Sequence, residues 1–93
     1  MKKIILFGSS HWPQCEPVKE FLSEKNIKFG YIDICTSMVS LKRFLKIRDT
    51  SEVHQAARER HSVGIPCMLV DDKVFITETT ESIEKLISDG ELE

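Results

Sequence analysis

The apolar run within residues 3–7 (Lys-Ile-Ile-Leu-Phe) is short and ends at Gly8, Ser9 and Ser10. A brief apolar run that stops at glycine and serine is typical of a strand buried on both faces. A sheet with such a strand at its centre needs helices on both sides, because each apolar face must be covered. The sequence therefore predicts an α/β fold with residues 3–7 as a central strand.

Helical and extended patterns alternate along the next part of the chain. The spacing of Val18, Phe21 and Leu22 predicts a first helix, and Asn26 is its predicted C-terminal stop. Residues 29–33 (Phe-Gly-Tyr-Ile-Asp) alternate as expected for a second strand. A strand, a helix and a second strand in this order form a parallel pair joined by a crossover.

Two helical patterns follow the second strand where one would complete a crossover. The first covers residues 41–45, with Ser37 or Ser40 as its candidate N-cap. Polar residues 49–51 interrupt the pattern, and a second helix is predicted at residues 53–60. The extra length either modifies a substrate-facing surface or only lengthens the crossover.

The C-terminal part of the chain predicts a hairpin and a last helix. Strands at residues 67–70 and 73–76 are joined by an Asp-Asp turn, and a helix runs from Thr79 or Thr80 to Gly90. The complete order, β-α-β-α(α)-β-β-α, predicts a mixed four-stranded sheet flanked by helices on both faces. This arrangement resembles the thioredoxin-like fold.

Size and charge exclude several classes of protein. The chain has 93 residues and a net charge of −2, which predicts a single domain over residues 1–93 and disfavours a nucleic-acid partner. No stretch approaches the roughly 20 apolar residues of a membrane helix, so we predict no membrane partner. The N-terminal apolar run breaks at Gly8, short of the ~7 residues a secretory signal needs, and three cysteines form no disulfide framework, so we predict a cytoplasmic protein.

Two motifs give the sequence a resemblance to the glutaredoxin family. Residues 9–15 (Ser-Ser-His-Trp-Pro-Gln-Cys) lie between the first strand and the first helix, and residues 64–66 (Gly-Ile-Pro) precede the third strand. Glutaredoxins carry Cys-Pro-x-Cys at the first place and a cis-proline at the second. Here Trp12 stands where the family has its nucleophilic cysteine, and Cys15 matches the resolving cysteine. Because the tryptophan codon is one base from those of cysteine and selenocysteine, either residue in the natural gene or its relatives stays an open alternative.

The helix start after this motif decides how reactive Cys15 is. A cysteine at a helix N-terminus has a thiolate stabilised by free backbone N–H groups, whereas burial raises the pKa of a thiol. We predict Pro13 at the first helical position and Cys15 more buried than position 12, hence a weak nucleophile. Pro17 removes a backbone hydrogen bond, so the helix either begins late or bends there.

The resemblance also implies which residues form the site. Cys15 and Cys67 are the predicted catalytic thiols, and a disulfide between them is a hypothesis; Cys35 is predicted to be structural or half-exposed. In the family, the backbone before the cis-proline pairs with an extended peptide or thiol substrate, which is here Ile65. The predicted substrate-binding residues are His11, Trp12, Pro13, Gln14, Ile65 and Pro66.

Two functions from different classes fit these residues. The first is a glutaredoxin-like thiol–disulfide oxidoreductase domain with a degenerate Trp-Pro-Gln-Cys site, acting in cell redox homeostasis on a disulfide or thiol substrate, including an extended peptide. The second is a non-catalytic thioredoxin-fold module that binds a peptide or small thiol ligand. No metal and no resident cofactor are predicted. Glutathione is expected to bind weakly, because the family's lysine before the motif and its Gly-Gly at the last helix are both absent.

Overall fold

The structure is a computed structural model that describes residues 2–92, so Met1 and Glu93 of the predicted domain lie outside the described residues. It contains four strands, four α-helices and one short 3₁₀ helix. In chain order they are β1 (Ile4–Gly8), α1 (Cys15–Glu24), β2 (Gly30–Asp33), α2 (Met38–Thr50), the 3₁₀ helix (Glu52–His54), α3 (Gln55–Glu59), β3 (Cys67–Val70), β4 (Lys73–Ile76) and α4 (Thr80–Ser88).

The sheet has the order β2-β1-β3-β4, which confirms the predicted mixed four-stranded arrangement. β1 pairs with β2 in parallel and with β3 in antiparallel orientation, and β4 continues the sheet as the hairpin partner of β3. The register sets Gly8 opposite Asp33 and Phe7 opposite Cys67. The last residues of β1 therefore lie beside the end of β2 and the beginning of β3.

Alternate residues of β1 enter two separate hydrophobic clusters, one on each face of the sheet. Ile4 and Leu6 pack with residues of α1 and α4, whereas Ile5 and Phe7 pack with Phe44 of α2. Every residue of β1 is buried. This is the physical reason for its continuous apolar sequence, because a strand covered on both sides has no solvent-facing positions.

α1 begins later than predicted, at Cys15 and not at Pro13. Pro17 is consequently the third residue of the helix, where a backbone N–H has no intrahelical partner to lose. Of the two alternatives for Pro17, the structure shows the late start. The chain leaves the helix through Asn26, which has a φ of 58°, in the left-handed region that asparagine tolerates better than most residues.

The middle region contains α2, followed by the 3₁₀ helix and α3 in place of the second predicted helix, and α2 is longer than predicted. α2 continues through Asp49 and Thr50, which were predicted to interrupt it, and the break falls at Ser51. The Thr50 hydroxyl donates to the carbonyl of Lys46 within the helix (2.7 Å), so this polar side chain is satisfied without ending the helix. Ser37 caps α2 by accepting a hydrogen bond from the N–H of Ser40.

The helices of the described part of the chain are short. None of them is long and apolar enough to cross a membrane. α4 follows an N-cap at Thr79, whose side chain accepts from the N–H of Ser82, and Gly90 lies just beyond its end with a φ of 74°. The helix begins at the predicted threonines, and it ends at Ser88, two residues before the predicted end at Gly90.

Candidate functional site

Residues 9–14 connect β1 to α1 and fold as two consecutive turns. The N–H of Trp12 donates to the carbonyl of Ser9 (3.1 Å), and the N–H of Cys15 donates to the carbonyl of Trp12 (3.2 Å). The second turn brings the chain into α1, so Cys15 is the first residue of that helix. It lies where the backbone N–H groups of the first turn are free and the helix dipole favours a negative charge.

The sulfur of Cys15 is buried below this loop. The side chain is only 1% exposed, and its Sγ accepts a hydrogen bond from the N–H of Ser9 (3.3 Å). Burial raises the pKa of the Cys15 thiol, the Ser9 N–H opposes that effect, and the negative charge of Asp33 adds to it. The thiol is therefore mostly protonated at neutral pH, in agreement with the weak nucleophile expected from the sequence.

Gly8 makes room for Cys15 and for the ring of Tyr31. A Cβ atom at Gly8 would lie 2.9 Å from the Cys15 Sγ and 3.2 Å from the Tyr31 ring. Burial, followed by the nearby Cys15, raises the pKa of Tyr31 to about 12. The phenol and the thiol thus share one crowded space that only glycine in β1 permits.

The motif loop and the Gly-Ile-Pro bend meet at the same hydrophobic cluster. Cys15, Ile65 and Cys67 are buried members of this cluster, and the half-buried Trp12 packs against it. The Ile65–Pro66 peptide bond is cis, and Pro66 is fully buried. The structure thus brings together the two segments that carry the resemblance, as the functional hypothesis requires.

The backbone of the Ile65–Pro66 bend makes only some of its possible hydrogen bonds within the described residues. The carbonyl of Pro66 accepts from the N–H of Thr77 (3.1 Å), whereas no turn or loop hydrogen bond between described residues involves the backbone of Ile65. The side chains of His11, Pro13 and Gln14 are exposed in the motif loop. The predicted substrate-binding residues thus comprise an exposed loop, a half-buried indole and an unpaired peptide unit.

Cys67 lies in a different environment from an exchangeable thiol. It is fully buried in β3 between Phe7 of β1 and Ile76 of β4. Burial raises its pKa to about 12. Cys67 and Cys15 share a cluster and both are free thiols, but this environment does not favour the predicted catalytic role of Cys67.

Sequence reasoning missed the residues that connect the ends of β1 and β2. The Asp33 carboxylate accepts from the N–H of Ser10 (3.2 Å) and from the N–H of Cys35 (2.8 Å), and these bonds hold its pKa below the usual range. Ser9 Oγ lies 3.2 Å from the Sγ of Cys35, which is exposed. The available signal was the Asp-Ile-Cys run at the end of a strand parallel to β1, because parallel strands end at the same edge of a sheet.

The family model described as Glutaredoxin matches residues 4–75 of this chain. This chain belongs to the glutaredoxin family. A relative described as an uncharacterized protein of Haemophilus influenzae is 30% identical over 70 residues, which is 75% of this chain and 81% of the relative.

Solved structures show the same fold. A mutant of the thioredoxin-like protein BC3987 is similar with a TM-score of 0.67 and 22% identity, covering 91% of this chain and 99% of that one. A glutaredoxin of Archaeoglobus fulgidus has a TM-score of 0.66 and 24% identity, covering 94% and 87%. A buckwheat glutaredoxin in complex with glutathione has a TM-score of 0.61 and 13% identity, covering 98% and 73%. The thioredoxin-like fold predicted from the sequence is confirmed.

Within residues 2–92, no group of three or more His, Cys, Asp or Glu side chains is placed to hold a metal ion. A surface groove of about 700 Å³ lies against β4 and α4, and its lining includes none of the predicted site residues.

Proposed function

We propose that this chain is a glutaredoxin-like thiol–disulfide oxidoreductase domain that acts in cell redox homeostasis through a degenerate Trp-Pro-Gln-Cys site. The observation that carries the proposal is the place of Cys15, the first residue of α1, with its sulfur on the Ser9 N–H and in one cluster with Ile65. A helix start next to a peptide-binding bend is the environment that thiol–disulfide exchange requires. The substrate is a disulfide or thiol, including an extended peptide.

Cys15 performs the exchange slowly in this proposal. The helix N-terminus and the Ser9 N–H stabilise its thiolate, but burial dominates and keeps the pKa of the thiol raised. Exchange depends on the thiolate fraction and on access to the sulfur. Cys15 therefore suits the resolving step better than the first attack, and Cys67, which follows the bend at the start of β3, is the predicted second thiol.

The bend and the motif loop hold the substrate. The free peptide unit of Ile65 pairs with an extended chain by strand addition, as unpaired backbone groups commonly do. Trp12 supplies an apolar ring beside that backbone, and the exposed His11, Pro13 and Gln14 border it. Pro66 keeps the bend packed against the core through its buried ring.

The proposal also includes weak glutathione binding and a cytoplasmic location. We expect weak glutathione binding, because only the Pro66 bend of the family's glutathione-binding elements is present in this sequence. The three cysteines are free thiols, which suits a reducing compartment.

A non-catalytic binding module is the second candidate function. Two observations favour it: an indole occupies the position of the family's nucleophile, and burial raises the pKa of Cys15. In this alternative, Trp12 and the Ile65 backbone bind a peptide or a small thiol, and no exchange follows. The two candidates differ in turnover and not in binding.

Reduction of hydroxyethyl disulfide by the wild type separates the candidates, and replacing Trp12 by cysteine tests whether the scaffold supports exchange. W12C places a thiol at the half-buried loop position ahead of α1, and H11C is the matched control because it adds an exposed thiol one residue earlier. We expect W12C to reduce hydroxyethyl disulfide at least about tenfold faster than H11C and to form a disulfide with Cys15, since thiolate formation is favoured at the helix start. Mass spectrometry after alkylation locates the bond.

The opposite result rejects the oxidoreductase proposal. If W12C folds, as shown by circular dichroism, and is no faster than H11C, the scaffold does not support exchange. Saturable quenching of Trp12 fluorescence by a peptide or small thiol, without turnover in any variant, would then establish the binding module.

A further inference from the structure

Cys35 occupies an exposed position at the end of β2, next to the predicted site. Its Sγ lies 3.2 Å from Ser9 Oγ, in a contact where either atom can donate the hydrogen. The backbone N–H of the same serine donates to Cys15 Sγ at 3.3 Å. One residue thus touches both sulfurs, one of which is buried and the other open to solvent.

Asp33 fixes the two loops that carry these contacts. Its carboxylate accepts from the N–H of Cys35 at 2.8 Å and from the N–H of Ser10 at 3.2 Å. The Cys35 turn is closed further by the N–H of Thr36, which donates to the carbonyl of Asp33 (3.2 Å). Cys35 is therefore held in a defined turn against the motif loop, although its side chain is exposed.

We propose that Cys35 and Cys15 form the redox couple of this chain, with Cys35 as the attacking thiol and Cys15 as the resolving thiol. This inference rests on the proposed oxidoreductase function, because it assigns the second thiol of the same exchange. It replaces Cys67, whose sulfur is fully buried in the sheet. Small disulfides are the expected substrate class, since they reach Cys35 directly from solvent.

The exchange balances in two steps. The Cys35 thiolate attacks one sulfur of a small disulfide, the disulfide bond breaks, and the first thiolate leaves and takes up a proton. The Cys15 thiolate then attacks Cys35 Sγ, forms the Cys15–Cys35 disulfide and releases the second substrate thiol. Two protein thiols are oxidised by two electrons and one substrate disulfide becomes two thiols; two equivalents of a small thiol reductant restore the protein and become a disulfide.

Ser9 has a positioning role in both steps. Its hydroxyl can donate to the Cys35 thiolate, and its N–H donates to the Cys15 sulfur. Hydrogen bonds to the charged form favour that form. S9A removes the contact to Cys35, together with the hydrogen bond that Ser9 Oγ accepts from the N–H of His11 (3.1 Å), and keeps the backbone contact to Cys15. S10A is the control variant, because Ser10 contacts Asp33 through its N–H and its side chain but contacts neither cysteine sulfur.

The test uses hydroxyethyl disulfide as the probe on the folded wild-type chain and on C35S, C15S and C67S. After an acid quench and alkylation, mass spectrometry identifies each adduct. We expect a Cys15–Cys35 disulfide in the wild type and in C67S, a lasting adduct on Cys35 in C15S, and a rate at least about tenfold lower in C35S. S9A should slow adduct formation at Cys35 relative to S10A, with no change in the far-ultraviolet spectrum.

Three results would overturn the couple. They are exchange in C35S at the wild-type rate, a wild-type adduct on Cys35 that never passes to Cys15, or no exchange in the wild type. Exchange in C35S at the wild-type rate, or an adduct that stays on Cys35, overturns only the couple, whereas no exchange in the wild type also contradicts the oxidoreductase proposal. A W12C variant without activity rejects the oxidoreductase scaffold on separate grounds.

Discussion

The Nε2 atom of His54 lies 3.1 Å from the carbonyl oxygen of Gly64, directly behind the Ile65–Pro66 bend. His54 is fully buried, and its other ring nitrogen, Nδ1, has no hydrogen-bond partner among the described residues. The ring also packs edge-on against Phe44. The bend that we assign to substrate binding is thus supported by a buried, neutral imidazole that donates from Nε2.

This contact predicts a loss of stability in mild acid. Burial lowers the pKa of His54 below its ordinary value of 6.5, the Gly64 hydrogen bond opposes the shift, and the charges of Arg48 and Arg58 add to it. The unfolded chain therefore binds more protons than the folded chain as the pH falls below 6.5. We expect the free energy of unfolding in urea to decrease from that pH down to the folded pKa.

The matched variants for this prediction are H54Q and H61N. Glutamine keeps an amide N–H for the Gly64 carbonyl but does not titrate, so H54Q should flatten the acid dependence of stability. His61 is exposed and has a φ of 58°, which asparagine tolerates, and H61N should retain the wild-type slope. Equal slopes in H54Q and the wild type would contradict the buried neutral His54.

Replacing Gly64 by alanine should destabilise the fold strongly. A Cβ at this position would lie 2.6 Å from His54 Cδ2, and the residue has a φ of 88°. The left-handed backbone and the displaced ring together should cost about 2–4 kcal/mol in G64A, or roughly 10–20 °C of melting temperature. G30A is the control, because its nearest heavy atom lies at 4.0 Å; similar melting temperatures for both variants would refute the packing.

The Arg48 side chain binds the backbone just before the Ile65–Pro66 bend, so its loss should reduce stability. Its Nη2 donates to the carbonyl of Ser62 (2.6 Å) and its Nε to the carbonyl of Val63 (2.9 Å). Charged hydrogen bonds of this kind contribute about 1.5–3 kcal/mol, so R48Q should lower the urea midpoint clearly. R60Q removes the same charge from an exposed side chain and should change stability by less than about 0.5 kcal/mol. Identical midpoints would show that the Arg48 bonds are not formed.

Tyr31 is the single tyrosine of the chain, so ultraviolet absorbance follows the ionisation of its phenol alone. Burial and the nearby Cys15 raise its pKa from 10.0 to about 12, so the folded state retains a proton that the unfolded state loses. Stability should therefore decline as the pH rises above 10. Tyrosinate absorbance should remain low at that pH in the folded chain and rise in the guanidinium-unfolded control; equal midpoints would contradict the environment of Tyr31.

Much of the fold follows from local sequence. The apolar run of β1 requires cover on both faces, and Thr79 and Ser37 supply N-caps from their own side chains, so these features depend on residues close in the chain. The end of α2 was less predictable, because Asp49 and Thr50 are polar but solvent-exposed within the helix. A polar residue interrupts a helical pattern only if the surrounding structure offers its backbone another partner.

The site divides in the same way. The motif order in the sequence predicts Cys15 and the Pro66 bend as site residues, and it predicts that Trp12 stands where the family has its nucleophile. Only the tertiary structure decided that Cys67 is buried in the sheet and that Cys35 lies against Ser9. The exposure of a sulfur and the contacts between strand ends depend on which elements pack together. Ser9 and Cys35 are 26 positions apart and come into contact only because β1 and β2 pair in the sheet, which the local sequence pattern does not specify.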